Sequence, residues 1–597
     1  MTMIGQSYSE IQDFLNQADL TKLANLNISV LRNVTVEPIE PYLKYLGYEI
    51  GFNARVMFGG YDNIFQEAVG GQSNLLNQDT DYVFVFTKLD VIWRDFLRHY
   101  VALNAERVKT ETERIKEYIN SVLSGIRRQT NAVILWHGFE LLAHPAMGIM
   151  DSQSAESQNT MIRSLNELLK DSLRIAGNAY FVDLNLCLIR LGVSQFYDHR
   201  YWHIGRAPFT RQALREIATE DFKFVRALKG KAKKCLVLDC DGVLWGGVVG
   251  EDGLAGIKLG QTYPGSAYYE LQQEIVSLYD RGVILALCSK NNEEDVWDVF
   301  RKHPDMILKE EHIATSQINW QDKAANLRQI ALDLNIGMDS LVFLDDSDFE
   351  VNLIRRVLPE VKVIHMSPTK VTEYANILAS CGLFDTVTLS VEDRKRGAMY
   401  KAEVARKKLQ VQATDMDSYL KALEMVLEIR FAEEFAIPRI AQLTQKTNQF
   451  NLTTRRYSED DIKAFAGSDQ SNVIYVKLSD RFGHSGIVGV CILKYTDRKV
   501  IFDTFLLSCR VLGRGVEDAF LAQALKLARK RGSQVAIGEY RATRRNRQVA
   551  DFYAQRGFEA SDEEAEPKRQ TFWYELDGKM KREHSFFKQI VSEIETQ

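Results

Sequence analysis

The stretch KCLVLDCDGVLWGGVVGEDG, Lys234 to Gly253, decides how the rest of the chain is read. Its apolar residues around Leu236 and Val237 run straight into two aspartates, Asp239 and Asp241. A continuous apolar run that ends in turn chemistry reads as a buried parallel strand. In open α/β sheets, ligands bind outside the carboxyl ends of such strands. Asp239 and Asp241 are therefore expected at the rim of a sheet, where a cation or a phosphate can sit. On this segment alone a plainer reading stays open, in which one aspartate caps a turn and the other is solvated.

Three downstream segments bear on that choice. VILALCSKNN reads as a strand ending at Ser289. WQDKAANLRQIALDLN is helix-like and carries Lys323, and SLVFLDDSDFE is a strand ending at Asp345 and Asp346. The order strand–DxD, strand–Ser, helix–Lys, strand–DD resembles the haloacid dehalogenase (HAD) phosphotransferase superfamily. The resemblance implies that Asp239 is the nucleophile that takes a phosphoryl group. Asp241 then protonates the leaving oxygen and activates water. Ser289 binds phosphoryl oxygens, and Lys323 offsets the crowded negative charge. Asp239, Asp241, Asp345 and Asp346 are the implied metal ligands, and hard carboxylate oxygens suit Mg²⁺.

A chain of 597 residues is too long for one core, so about three domains are expected. With 45% hydrophobic and 26% charged residues it is ordinary globular material. A net charge of −5 without a basic block disfavours nucleic acid as a partner. MTMIGQSYSEIQDFL lacks the basic and apolar regions of a signal peptide. No run approaches the roughly 18 apolar residues of a membrane span. Seven scattered cysteines without a CxxC pair suit a reducing, cytoplasmic setting.

Before the opening stretch, NISVLRNVT, ARVMFGG, DYVFVFT, NAVILWHG and NAYFVDLN read as strands. Glu106 to Arg127 and Gln158 to Ala176 read as helices, and the alternation implies a parallel sheet. NVTVEPIEPYL and FGGYDNIFQEAVG resemble the SGNH-hydrolase-like domain that precedes some HAD domains. Such a hydrolase needs Gly-Asp-Ser after its first strand and Asp-x-x-His near its end. This chain has Arg32-Asn33-Val34-Thr35 at the first place, and Asp198 with His199 and His203 off-spacing at the second. Residues 1–228 are therefore expected to be a non-hydrolytic docking domain, with a catalytic His199 or His203 as the alternative. Residues 229–367 are the HAD-like domain. Its flap, Trp245 to Gly253, is glycine-rich, and the short insertion after Gly260 leaves no room for a large cap.

Residues 368–425 read as a solvated helical connector. Residues 426–597 carry the strands NVIYVKLSDRF, GIVGVCILKY and KVIFDTFLLSC, then Arg510-Val-Leu-Gly513-Arg514-Gly515 before a helix. R-x-x-G-x-G in that position resembles the acyl-CoA pyrophosphate loop of the GNAT acyltransferases, and backbone N–H groups at a helix start bind phosphate. Asn546 and DFYAQRGF match the end of that fold. The expected architecture is thus α/β in three domains: an SGNH-like parallel sheet, a HAD Rossmann-like core and a GNAT-like α/β domain.

DCDGVLWGGVVGEDG, LCSKNNEEDV, WQDKAANLRQIA, FLDDSDFE, LTQKTNQFNLTTRRY and SCRVLGRGVE together resemble FkbH-like proteins. The resemblance implies transfer of a glyceryl unit from 1,3-bisphosphoglycerate to the phosphopantetheine thiol of an acyl carrier protein, with removal of phosphate, for a polyketide-type pathway. One departure is Gly242-Val243 after the second aspartate, where the family often has Asn-Thr. Cys509, beside the turn that opens a helix, is the expected acyl carrier, because a helix N-terminus favours thiolate. Cys240 is its rival, and His484 is the nearest base by chain position. Arg510, Gly513, Arg514, Gly515 and Asn546 are the expected cofactor contacts. Two other readings are a HAD phosphatase acting on a sugar phosphate or polysaccharide precursor, and a non-enzymatic carrier-docking scaffold.

Overall fold

A computed structural model describes residues 7–71, 74–389, 396–508, 511–543, 545–561, 569–576 and 586–595. The chain divides into two compact units, residues 1–231 with 385–387, and 232–384 with 388–597.

The first unit is built on β1 (Ala24–Arg32), β2 (Phe52–Phe58), β3 (Tyr82–Phe86), β4 (Val133–His137) and β5 (Ala179–Val182). They form one parallel sheet in the order β2-β1-β3-β4-β5. Tyr82, Phe84 and Phe86 of β3 enter one core, and Val83 and Val85 enter another. This is the period-two split of a strand covered on both faces. The helix Gln158–Ala176 keeps the predicted bounds. The Ser157 hydroxyl accepts the Thr160 N–H at its start, and Gly177, at φ 63°, follows its end. Asp198 is the N-cap of the short helix His199–Gly205, where it accepts from Tyr201 N–H. His199 and His203 stand exposed on that helix.

Among its described residues the second unit carries two sheets. The first holds β6 (Cys235–Leu238), β7 (Ile284–Ser289), β8 (Ile313–Ile318), β9 (Leu341–Asp345) and β10 (Lys362–His365). It is parallel in the order β10-β9-β6-β7-β8. The connector expected from residue 368 begins later. Tyr374, Leu378, Leu383 and Phe384 are buried in the core that holds Leu236 and Leu238. The helix Arg396–Gln412, expected to be solvated, is also packed. Lys401 Nζ donates to Glu310 O at 2.6 Å, Lys407 Nζ donates to Leu332 O at 2.6 Å, and Arg406 is buried.

Among the described residues the C-terminal sheet has nine strands: β11 (Val426–Phe431), β12 (Phe450–Asn451), β13 (Ser471–Asp480), β14 (Gly483–Thr496), β15 (Lys499–Leu507), β16 (Val535–Arg541), β17 (Glu559–Ala560), β18 (Arg569–Glu575) and β19 (Gln589–Ser592). Most neighbours are antiparallel. β15 and β16 are parallel, but they pair only over Lys499–Phe502 and Val535–Gly538. Beyond that point the chain's own residues fill the gap. Leu452 N–H donates to Phe505 O at 3.2 Å, and Leu452 O accepts from Arg541 N at 2.8 Å. Arg455 ties the two strands by ion pairs to Asp503 at 2.6 Å and Glu539 at 2.9 Å. The sheet, with the Gly513–Gly515 turn leading into the helix Val516–Lys530, is GNAT-like.

Candidate active site

The central strands of the middle sheet carry their carboxylates to one edge. Asp239 follows β6, Ser289 ends β7 and Asp345 ends β9. Lys323 is the first residue of the helix Lys323–Leu334, which Asp322 caps by accepting Ala324 N–H. Lys323 Nζ lies 2.6 Å from Asp239 Oδ2 and 2.6 Å from Asp345 Oδ2, and its side chain is only 4% exposed. Asp239 Oδ1 accepts the Cys240 amide at 2.7 Å, and Asp345 Oδ1 accepts the Ser347 amide at 2.9 Å. Both carboxylates are thus fixed in orientation.

Electrostatics follow from burial. Desolvation, then the neighbouring Asp239 charge, pushes Asp345 up to about 7 despite Lys323. The same two causes push Asp346 to about 6. Burial opposes the charge on Lys323, but Asp239 and Asp345 outweigh it and hold the ammonium above the ordinary lysine range. Three carboxylates face one ammonium, so the cluster has room for further positive charge. One ligand oxygen from each of Asp239, Asp345 and Asp346 lies within 4.8 Å of the others. An all-oxygen donor set of this kind suits a hard divalent cation.

Asp241 is a correction to the expected ligand set, since its carboxylate is engaged elsewhere. Oδ1 accepts from the Trp245 indole N–H at 2.7 Å and from Val249 N–H at 3.1 Å. Oδ2 accepts from Asn291 Nδ2 at 2.9 Å, and the same nitrogen lies 3.3 Å from Ser289 Oγ. A tight turn brings Trp245 back over Asp241, with Gly242 N–H donating to Trp245 O at 2.9 Å. Trp245 and Asn291 were missed as site residues, although Asn291 lies in the quoted LCSKNN and Trp245 in the flap. The Gly242-Val243 departure also has a local cause. Gly242 sits at φ 72°, and a Cβ there would stand 2.2 Å from Asp346 Oδ2. A bare backbone at 242 leaves space for that carboxylate.

Cys240 is wholly buried among Leu236 and Leu238, on the face opposite Asp239. Burial, then Asp239, pushes its thiol well above the ordinary range.

The expected cofactor contacts of the C-terminal domain are differently employed. Cys509 and Arg510 lie outside the described residues. Arg514 is 4% exposed and donates to both Glu403 oxygens, at 2.7 and 2.5 Å. Arg406 pairs with Asp480 at 2.6 and 2.8 Å in the same network. Gly513 and Gly515 have the positive φ the turn needs, 74° and 73°. A Cβ on Gly515 would stand 2.3 Å from the Phe586 ring, so that ring covers the turn. Asn546 is fully used inside the protein: Oδ1 accepts from Thr543 N–H and Oγ1, and Nδ2 donates to Asn451 O and Arg541 O. These contacts correct the expectation for Arg514 and Asn546. His484 is exposed near the start of β14. Ser508 N–H donates to Val488 O, four residues further along that strand, which is about 13 Å at strand rise.

A parallel sheet with this carboxylate–lysine edge defines a HAD-like domain. Residues 27–224 match the family model described as FkbH, N-terminal domain. The chain is also similar to a crystal structure from Bacteroides fragilis, the N-terminal part of the protein BF1531, containing a phosphatase domain complexed with Mg. The TM-score is 0.58 at 26% identity, over 64% of this chain and all of that one. GNAT structures align over about a quarter of the chain. They include the ribosomal-protein-S18-alanine N-acetyltransferase of Escherichia coli, at 13% identity, TM-score 0.21, 26% of this chain and 99% of that one. The GNAT domain of S. lividans PAT aligns at 14% identity, TM-score 0.21, 25% of this chain and 89% of that one. No curated protein matches the chain.

Proposed function

We propose that this chain is a Mg²⁺-dependent HAD-type phosphatase that also transfers a glyceryl unit from 1,3-bisphosphoglycerate to the phosphopantetheine thiol of an acyl carrier protein. The observation that carries the phosphoryl half is the Lys323 bridge between Asp239 and Asp345, with Asp346 beside them. The phosphatase domain named for the Bacteroides structure supports it. The FkbH match over residues 27–224 and the motif likeness support the glyceryl half.

Asp239, held by the Cys240 amide and Lys323, attacks phosphorus and forms an aspartyl-phosphate. Ser289 binds phosphoryl oxygens, and Lys323 offsets the charge that builds on the site. Asp241 gives a proton to the leaving oxygen and then takes one from the water that hydrolyses the intermediate. Asp239, Asp345 and Asp346 would hold Mg²⁺, which when bound supplies Lewis-acid stabilisation of the phosphoryl oxygens. At the acyl-phosphate end of the substrate, the Cys509 thiolate attacks the carbonyl carbon, the bond to the phosphate oxygen breaks and inorganic phosphate leaves. The carrier thiol then takes the acyl group from Cys509, which leaves as thiolate, and the remaining phosphate ester is the one Asp239 attacks. Cys240 is a poor rival because its thiol is buried and held protonated.

The test is intact-protein mass spectrometry of a phosphopantetheinylated carrier after incubation with 1,3-bisphosphoglycerate, with phosphate release followed in parallel. A glyceryl mass gain on the carrier is expected, together with release of the ester phosphate, which EDTA and Asp239→Asn both abolish. Asp239→Asn is expected to lose phosphate release by roughly 10³-fold or more. Phosphate release without carrier loading would leave a phosphatase acting on a small phosphate ester. Full phosphate release by Asp239→Asn would overturn the phosphoryl half, and normal carrier loading by Cys509→Ala would overturn the acyl half.

A further inference from the structure

An ion pair between Lys290 and Glu350 crosses the mouth of the middle-domain site. Lys290 follows Ser289, the last residue of β7, and Glu350 lies in the first turn of the helix Asp348–Val357, after β9. Between those two strands runs β6, which leads into Asp239. Neighbouring strands lie about 4.8 Å apart, so the pair bridges a separation of about 10 Å across the end of β6. Lys290 Nζ stands 2.7 Å from Glu350 Oε1. The residues on either side of Lys290 belong to the site: Asn291 Nδ2 donates to Asp241 Oδ2 at 2.9 Å and lies 3.3 Å from Ser289 Oγ.

The two partners differ in exposure. The Glu350 side chain is 7% exposed, so it is a fixed anchor. The Lys290 side chain is 37% exposed. An ammonium has three N–H donors. Glu350 takes one, and the others are left to solvent. Asp241, Gly242 and Asp346 are also only half-buried, so the mouth of the site is open and a ligand held there can reach Lys290. Lys323, at 4% exposed, is committed to Asp239 and Asp345 beneath. Lys323 therefore serves the transferring phosphoryl group, and Lys290 is placed for the group to which the phosphate is attached.

We propose that Lys290 is a specificity-determining residue that selects phosphate esters whose leaving group carries a carboxylate or an acyl carbonyl. The inference rests on the phosphatase reading of the site and names the substrate class within it. A buried carboxylate already holds the ammonium, so little side-chain freedom is lost when a ligand arrives. The Lys290–Glu350 pair carries no net charge, and Asp239, Asp345 and Asp346 outnumber Lys323, so a second phosphate dianion gains little here. Directed N–H donors suit an acceptor of low charge, and hydrogen bonds from an ammonium are stronger than those between neutral groups. The phosphoglyceryl ester that remains after acyl transfer carries such a carbonyl.

The test compares 3-phosphoglycerate with glycerol 3-phosphate in Mg²⁺, two esters that differ only in carboxylate against hydroxymethyl. The parent protein is expected to show a KM about tenfold lower for 3-phosphoglycerate, the value of one hydrogen bond to a charged group. Lys290→Met should remove that difference by raising the KM for 3-phosphoglycerate about tenfold, with the KM for glycerol 3-phosphate and kcat on both esters changed less than about threefold. Lys290→Met leaves Glu350 buried without its partner. The double variant Lys290→Met/Glu350→Gln, which carries no uncompensated charge, is measured beside it and should show the same loss of preference. Equal KM values in the parent, equal KM shifts on both esters in the two variants, or a loss confined to kcat would overturn the inference and leave the phosphatase reading standing. No phosphate from either ester in the parent would overturn the phosphatase reading and this inference with it.

Discussion

Replacing Lys323 by Met tests the electrostatic account of the site most directly. The ammonium lies 2.6 Å from two carboxylates whose side chains are 9% and 0% exposed. Removing one partner of a buried ion pair costs about 3–5 kcal/mol, because a charge is left uncompensated. Asp345 offers a relief, since it titrates near 7. At pH 6 it is already largely protonated, and the variant loses mainly the Lys323–Asp239 interaction, about 3 kcal/mol. At pH 8 the variant must hold a bare charge or protonate Asp345, at about 1.4 kcal/mol per pH unit. The expected loss there is about 4 kcal/mol. Hydrogen exchange of β6 and β9 amides, with EDTA present, reads the middle domain by itself. The variant should exchange about 10²-fold faster than the parent at pH 6 and about 10³-fold faster at pH 8, at 1.4 kcal/mol per tenfold. Acceleration below about threefold at pH 8, or a larger effect at pH 6 than at pH 8, would refute the reasoning.

Two further outcomes are expected. Asp345 and Asp346 have folded pKa values raised to about 7 and about 6 from 3.8, so the folded state binds more protons than the unfolded state between about pH 4 and 7. Metal-free stability therefore falls as pH rises through that window. Mg²⁺ must displace those protons, so its thermal stabilisation should be larger at pH 8 than at pH 5.5, and the reverse order in a melting series would exclude these ligands. Trp245→Phe and Asn291→Leu release Asp241 from its donors and should cost about 10–100-fold in phosphate release from an alkyl phosphate. Loss on p-nitrophenyl phosphate, whose leaving group needs no proton, should be smaller. Equal losses on both substrates, or full additivity with Asp241→Asn, would show that neither residue acts through Asp241.

In the middle domain the strand ends, and the polar residues that stand on them, were legible in the sequence. Parallel strands covered on both faces are near-continuous apolar runs, so their ends are visible, and Asp239, Ser289 and Asp345 stand at those ends. Lys323 was legible because Asp322 and the helical pattern after it mark a helix start. What each polar group touches became visible only in the folded chain. Asp241 looked like a fourth metal ligand until Trp245, Val249 and Asn291, the last 50 residues away, were found on its oxygens. Arg514 matched a phosphate loop by spacing, but its partner Glu403 lies 111 residues earlier, on a helix whose charge pattern suggested solvent. The gap between β15 and β16 is filled by Leu452, which hydrogen-bonds to Phe505 on one side and Arg541 on the other. Periodicity and turn chemistry are local, so they report which residues are buried and where elements stop. The pairing of charges depends on which distant segment fills the neighbouring space, and that is settled only when the sheets close.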